Sequence, residues 1–206
     1  WYLTCSNFLR RYRKKKQKRT AKREMIPNRI SLKQRPKQGE HAEGDLFVSP
    51  IKTGTQRSGA IICVPSTQLF IGTMIDNRKP ATMARAINMM TANVLIDDLT
   101  LDNGIENKLH EQFGLPAYFA DPHSPWQKPR VESGIGLLRR WFIPKPTNLK
   151  KVSENQLQNY LNILNSKYRK SLSYRISYEV AVERGIIQKI PSINVEEIIR
   201  EKVAFH

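Results

Sequence analysis

The 206-residue sequence contains only two cysteines, Cys5 and Cys63. Two such residues build neither a disulfide framework nor a zinc cluster, and they suit a reducing compartment. Long apolar runs are missing too: no stretch reaches the roughly 18–20 consecutive apolar residues of a membrane-spanning helix. The opening Trp1-Tyr2-Leu3-Thr4-Cys5 comes before a block of charge, where a signal peptide would follow one. A membrane partner is therefore not expected, and the anticipated location is the cytoplasm, in association with the nucleoid. Acids are also scarce, with 18 Asp and Glu against 35 Lys and Arg, a net charge of +17. An excess of that size points to a polyanionic partner. The apolar fraction of 39% suffices for one ordinary core with an appended segment.

The positive charge is unevenly placed. Residues 1 to 39 hold fourteen basic side chains and a single acid, Glu24. Arg10, Arg11, Arg13, Lys14, Lys15, Lys16, Lys18 and Arg19, continued by Lys22 and Arg23, form a run dense enough to contact several DNA phosphates. The plainer reading of such a run is a solubilising tail. Pro27, Pro36 and Gly39 mark residues 1–39 as a basic arm and linker, followed by a core over 40–150 and a helical C-terminal extension over 151–206.

Within the core, Asp45 to Val48, Ala60 to Val64 and Leu69 to Met74 have the β-branched, apolar character of strands. Lys79 to Asn93 has the three- and four-residue apolar spacing of a helix, with Pro80 in its first turn. Val94 to Leu101 is a fourth expected strand, closed by the turn signal Asp102-Asn103-Gly104, and Ala117 to Ala120 a fifth. A short helix is expected around Ile105 to Phe113, and another from Pro129 to Phe142. The tail adds helices over Glu154 to Lys167, Ser177 to Arg184 and Val195 to Val203. This element order suits an α/β, ribonuclease-H-like domain: a mixed five-stranded sheet flanked by helices. Other α/β and α+β arrangements fit it as well.

Three acids sit where such elements begin, end or face one another: Asp45, Asp102 and Glu132. Carboxylates suit hard divalent ions, and two ions roughly 3.5–4 Å apart can clamp the attacking and leaving oxygens of a phosphoryl transfer. Each acid alone is more readily a solvated surface residue or helix cap than a metal ligand. Asp76, Asp97, Asp98 and Asp121 also flank strands, and Asp98 shares a strand face with Asp102.

Local motifs narrow the choice. His41-Ala42-Glu43-Gly44-Asp45-Leu46, Thr100-Leu101-Asp102-Asn103-Gly104 and the stretch Tyr118 to Glu132 resemble the three signature blocks of insertion-sequence-30 transposases. Gly136 to Lys145 and Tyr168 to Arg175 resemble that family's later motifs, so the likeness runs over about residues 27 to 184. It implies an integrase-type catalytic core with an Asp-Asp-Glu triad on Asp45, Asp102 and Glu132. Those residues would hold Mg²⁺ (or Mn²⁺ in vitro), as two ions, for DNA strand cleavage and strand transfer. DNA, both transposon ends and target, is the implied partner, with a homodimer or larger assembly on it. The sequence departs from the family at Ala42, where an aromatic residue is usual, and at Pro129 and Val131, where Gly and Asn are usual. The Asp102-to-Glu132 interval is about one helical turn short. The family's N-terminal helix-turn-helix is not seen, so the chain is expected to be a piece of a longer protein.

Arg139 follows Glu132 by seven residues, which is close to two turns and so on the same face. The resemblance gives this position to a DNA-contacting base, and Lys128, one turn before Glu132, is a second candidate. Trp126 stands in a Pro-rich loop where it can stack on a splayed base or equally fill the core. His123 reads as a turn histidine or a phosphate contact. Two alternatives to a transposase remain open: a catalytically decayed DNA-binding fragment, and a metal-dependent nuclease without strand transfer.

Overall fold

The run Ala60-Ile61-Ile62-Cys63-Val64 lies inside the sheet, one strand in from an edge, in a strand buried along its whole length. A strand apolar on both faces needs cover on both, and that requirement organises the domain. The computed structural model describes residues 26–122 and 124–189. The basic run from Arg10 to Arg23, His123 and the expected helix Val195 to Val203 lie outside the described residues.

The sheet has six strands: β1 (Ile30–Ser31), β2 (His41–Val48), β3 (Ser58–Val64), β4 (Leu69–Ile75), β5 (Asp98–Leu101) and β6 (Ala117–Phe119), in the order β1-β6-β5-β2-β3-β4. β2, β3 and β4 form an antiparallel meander, with Glu43 opposite Cys63 and Val64 opposite Leu69. β5 joins β2 in parallel, His41 beside Asp98, and β6 joins β5 in parallel.

Alternate residues face opposite layers. On one side Ile62, Val64, Leu99 and Leu101 meet α1 (Pro80–Thr91), through Met83, Ile87 and Met90, and α4 (Ser177–Glu183), through Tyr178 and Ala181. On the other side Phe47, Ile61, Cys63 and Phe70 meet α2 (Pro129–Trp141), through Val131 and Leu138, and α3 (Glu154–Asn165), through Leu157, Leu161 and Leu164. The two tail helices thus complete the cover of the same sheet.

The structure modifies the expected elements in three places. The sheet gains a sixth strand, β1, from the stretch expected to be linker. It pairs with β6 in parallel, and its flanks are tied by Arg29 Nη1 donating to Asn103 Oδ1 (2.7 Å) and Arg35 Nη1 to Thr100 Oγ1 (3.0 Å). The fourth expected strand starts at Asp98 rather than Val94. The region Ile105 to Phe113 folds as two three-residue 3-10 turns, not one helix. A three-residue repeat turns Asn107 and His110 inward together, Asn107 onto Asp102 and His110 edge-on to the Phe119 ring.

β4 is the sheet edge opposite β1, and α3 is laid along it with polar side chains aimed at the backbone. Asn165 accepts from Phe70 N–H (2.9 Å) and donates to Phe70 C=O (2.7 Å). Gln158 donates to Gly72 C=O (2.7 Å), and Glu154 accepts from Met74 N–H (2.7 Å). Ser153 starts α3 with a capping box to Gln156.

Candidate active site at the ends of the central strands

The parallel register fixes what stands beside what. His41 lies beside Asp98 and Glu43 beside Thr100; two places further on, the same register sets Asp45 level with Asp102. Residues 41, 43 and 45 alternate with core residues, so one face of β2 carries a polar row in an otherwise apolar sheet.

Each member of the row has its own partner. His41 Nδ1 lies 2.6 Å from Asp98 Oδ2, and both side chains are largely withdrawn from solvent. Burial raises the Asp98 carboxyl above its ordinary range, with the His41 contact opposing. Asp98 is therefore committed to His41. Glu43 is buried, and its Oε2 accepts from Arg130 N–H and Val131 N–H, both at 2.8 Å. These are the first free donors of α2, since Pro129 has no N–H and the cap residue Lys128 makes no side-chain cap bond. Glu43 thus caps the helix from the neighbouring strand. Desolvation raises its carboxyl, and the two backbone bonds pull the other way.

Asp45 Oδ1 accepts from Leu46 N–H (2.8 Å) and lies 3.6 Å from Lys128 Nζ. Burial raises its carboxyl; Lys128 opposes this, while the charge of Asp102 adds to it. Asp102 closes β5, and its Oδ1 accepts from Gly104 N–H and from Asn107 Nδ2, each at 3.2 Å. Asn107 is buried, and its Oδ1 has no hydrogen-bond partner among the described residues.

Glu132 lies in the first turn of α2 on the exposed side. The structure brings Asp45 and Asp102 near one another and sets Glu132 on the helix that Glu43 caps and that Lys128 precedes. Among the described residues, no three His, Cys, Asp or Glu side chains are grouped closely enough to hold a metal ion.

The expected DNA contacts divide. Trp126 is 71% exposed in a 3-10 turn (Pro125–Gln127) before α2, which removes the core-filling alternative. Lys128 is instead 5% exposed, its ammonium donating to Gly44 C=O at 3.0 Å, so it is not presented at the surface. Arg139 turns back on the sheet: it donates to Val48 C=O and to Ile143 C=O (3.3 Å), with its guanidinium 5.0 Å from the centre of the Phe47 ring. Its burial lowers its basicity.

Close packing holds α2 in place. A Cβ at Gly134 would stand 2.0 Å from the Phe70 ring, and one at Gly44 would stand 2.6 Å from Leu101. Ala42 is fully buried in the opposite layer, and Val131 is fully buried beneath α2. The roles of Glu43 and Asn107 were not read from sequence. The available signal was the His41, Glu43, Asp45 alternation, a polar stripe on a strand whose other face is apolar.

No family model matches the chain. Curated relatives do. The chain is 29% identical over 194 residues to the transposase for insertion sequence element IS1086 of Cupriavidus metallidurans, covering 88% of this chain and 56% of that protein. It is 31% identical over 180 residues to the transposase InsI for insertion sequence element IS30A of Escherichia coli K12 (78% and 40%). With the transposase for insertion sequence element IS4351 of Bacteroides fragilis it shares 30% identity over 175 residues (80% and 53%). The chain therefore spans about half the length of these relatives. Among solved structures, the catalytic core domain of BIV integrase aligns with a TM-score of 0.52 at 18% identity, over 71% of this chain and 95% of that one. A chain of the simian T-cell lymphotropic virus intasome in complex with PP2A regulatory subunit B56 gamma aligns with a TM-score of 0.54 at 15% identity, over 69% and 54%. By these sequence and fold likenesses, the chain belongs to the insertion-sequence-30 family of transposases and has the ribonuclease-H-like fold of an integrase catalytic core.

Proposed function

We propose that the chain is the catalytic part of a DNA transposase that cuts a DNA strand at a transposon end and joins the freed 3′-hydroxyl to a target. The observation that carries this reading is the nearness of Asp45, inside β2, to Asp102, just past the end of the adjacent parallel strand β5, with the Glu132 helix anchored to β2 through Glu43. The residues fit a divalent metal. The donors are hard carboxylate oxygens, and Asp45 bears a burial and like-charge penalty that a cation relieves.

Asp45 and Asp102 would hold Mg²⁺ or Mn²⁺, with Glu132 as the third ligand from α2. When bound, such ions activate the attacking hydroxyl and stabilise charge on the leaving oxygen. The chain's own contribution is placement. The sheet fixes Asp45 and Asp102, Glu43 fixes the start of α2, and Asn107 orients the Asp102 carboxylate. Trp126 supports stacking on an unpaired base, and the basic arm supplies affinity without sequence preference. The basic run Arg10 to Arg23 as a DNA-binding arm, ahead of a catalytic core that takes in β1 and the helices α3 and α4, completes the proposed organisation. A homodimer or larger assembly on DNA and a cytoplasmic, nucleoid-associated location complete the reading. Among the described residues, no helix is long and apolar enough to cross a membrane.

Asp45→Asn, Asp102→Asn and Glu132→Gln should each abolish metal-dependent strand transfer by the complete protein. Activity surviving any one of them removes that residue from the triad. The exposed placement of Glu132, away from any group of three metal-binding side chains, favours a second reading as a non-cutting DNA-binding fragment. DNA binding without cleavage or joining would select it. Cleaved but never joined products would select a nuclease.

A further inference from the structure

We infer that Lys128 is a built-in counter-cation of the acid pair, and that a divalent metal must compete with its ammonium for the Asp45 carboxylate. The inference rests on the reading of Asp45 and Asp102 as metal ligands.

A lysine only 5% exposed is unusual, because burying an ammonium is costly unless charge and hydrogen bonds compensate it. Lys128 has both forms of compensation. Its Nζ donates to Gly44 C=O at 3.0 Å and lies 3.6 Å from Asp45 Oδ1. Both partners lie on the strand that carries the metal-binding carboxylate, and they hold the positive charge inside the site, not out towards a DNA backbone. The arrangement answers the local repulsion: Asp45 feels the charge of Asp102, and Lys128 offsets it. A single ammonium supplies one positive charge where a divalent ion brings two, so it stabilises the pair without saturating it.

The anchoring of α2 allows the exchange. Lys128 is the residue before the helix, with non-helical backbone angles (φ −134°, ψ 51°), and its side chain makes no cap bond. The first turn of α2 is held by Glu43 through Arg130 and Val131. The lysine can therefore leave Asp45 without releasing the helix that carries Glu132.

The test is a calorimetric Mn²⁺ titration of the 206-residue chain and of Lys128→Met, Lys128→Arg and Asp102→Asn, with each variant's fold checked by circular dichroism. Removing a unit charge at this separation should tighten Mn²⁺ binding by about tenfold or more in Lys128→Met. Lys128→Arg, which keeps the charge, should bind no more tightly than the parent, and Asp102→Asn should lose binding. If Lys128→Met does not fold, Lys128→Gln, uncharged but still a donor, takes its place with the same expectation. Equal or weaker binding in the uncharged variant, with parent binding still lost in Asp102→Asn, overturns the inference and leaves the metal-site reading standing. Tightening in Lys128→Arg also overturns it. No binding in either the parent or the uncharged variant overturns both.

Discussion

Replacing Glu43 by alanine should separate the helix anchor from the acids proposed to bind metal. The substitution removes two charge-assisted hydrogen bonds, both to Oε2 and both at 2.8 Å. Of the donors released, Arg130 N–H belongs to an exposed residue, whereas Val131 is fully buried and its N–H is left without water. A bond to a charged group contributes about 1.5–3 kcal/mol, and a stranded buried donor costs about 1–3 kcal/mol. These are two views of the same loss, and the ionised carboxylate also carries a desolvation penalty that the variant escapes. A net destabilisation of roughly 2–3 kcal/mol follows. At about 2–4 °C per kcal/mol for a chain of this size, the melting temperature should fall by roughly 4–12 °C. Glu43→Gln keeps an acceptor oxygen and loses the charge. The folded carboxyl of Glu43 lies above its ordinary value of 4.5 because of burial. Its favourable contribution is therefore complete below that value and is lost as pH rises through the folded pKa. Relative to the parent, Glu43→Gln should gain stability between about pH 4.5 and neutrality. Thermal melts of parent, Ala and Gln variants at pH 4.5 and 7 make the comparison. An alanine variant as stable as the glutamine one at pH 7 would refute the capping argument.

Three further outcomes follow from named contacts. Gly134→Ala drives a methyl into the Phe70 ring and should cost about 1–3 kcal/mol in urea denaturation, while Gly136→Ala, with nothing within 4 Å, should be neutral or stabilising by up to about 1 kcal/mol. Equal effects at the two glycines would show that α2 does not press on the sheet at Gly134. Trp126→Ala should weaken single-stranded DNA binding by about 1–3 kcal/mol if one base stacks there, with an unchanged melting temperature because the ring is exposed; unchanged affinity in a binding titration would remove the stacking role. Deleting residues 10–23 should weaken DNA binding and flatten its dependence on salt, and an unaltered slope would show that the arm does not contact phosphates.

The parts of the fold visible in the sequence were those governed by local pattern. Met83, Ile87 and Met90 recur at helical spacing and are buried on α1, and Ala60 to Val64 is too apolar to be anything but central. The short β1 escaped notice because two residues carry no periodicity. It exists through pairing with Tyr118 and Phe119, almost ninety residues away. The 3-10 turns after β5 are likewise set by where Asn107 and His110 must point. At the candidate site, motif order singled out Asp45, Asp102 and Glu132, but the inward turn of Lys128 was hidden. Sequence shows a lysine one turn before Glu132. Only the register of β2 against the start of α2 shows that a backbone carbonyl and a carboxylate await its ammonium. Arg139 was misleading in the same way, since seven-residue spacing gives a shared face but not which acceptors that face meets.

The polar side chains that α3 lays along β4 have a consequence for how molecules meet. An open sheet margin is a template on which a second chain can continue the hydrogen-bonded ladder, the usual beginning of fibrous aggregation. Here the N–H and C=O of Phe70, the C=O of Gly72 and the N–H of Met74 are already engaged by Asn165, Gln158 and Glu154. Recruitment of another strand at this margin would first have to strip those side chains away. Contact between copies through β4 is therefore disfavoured, and helical or loop surfaces are left for any assembly of the kind proposed on DNA.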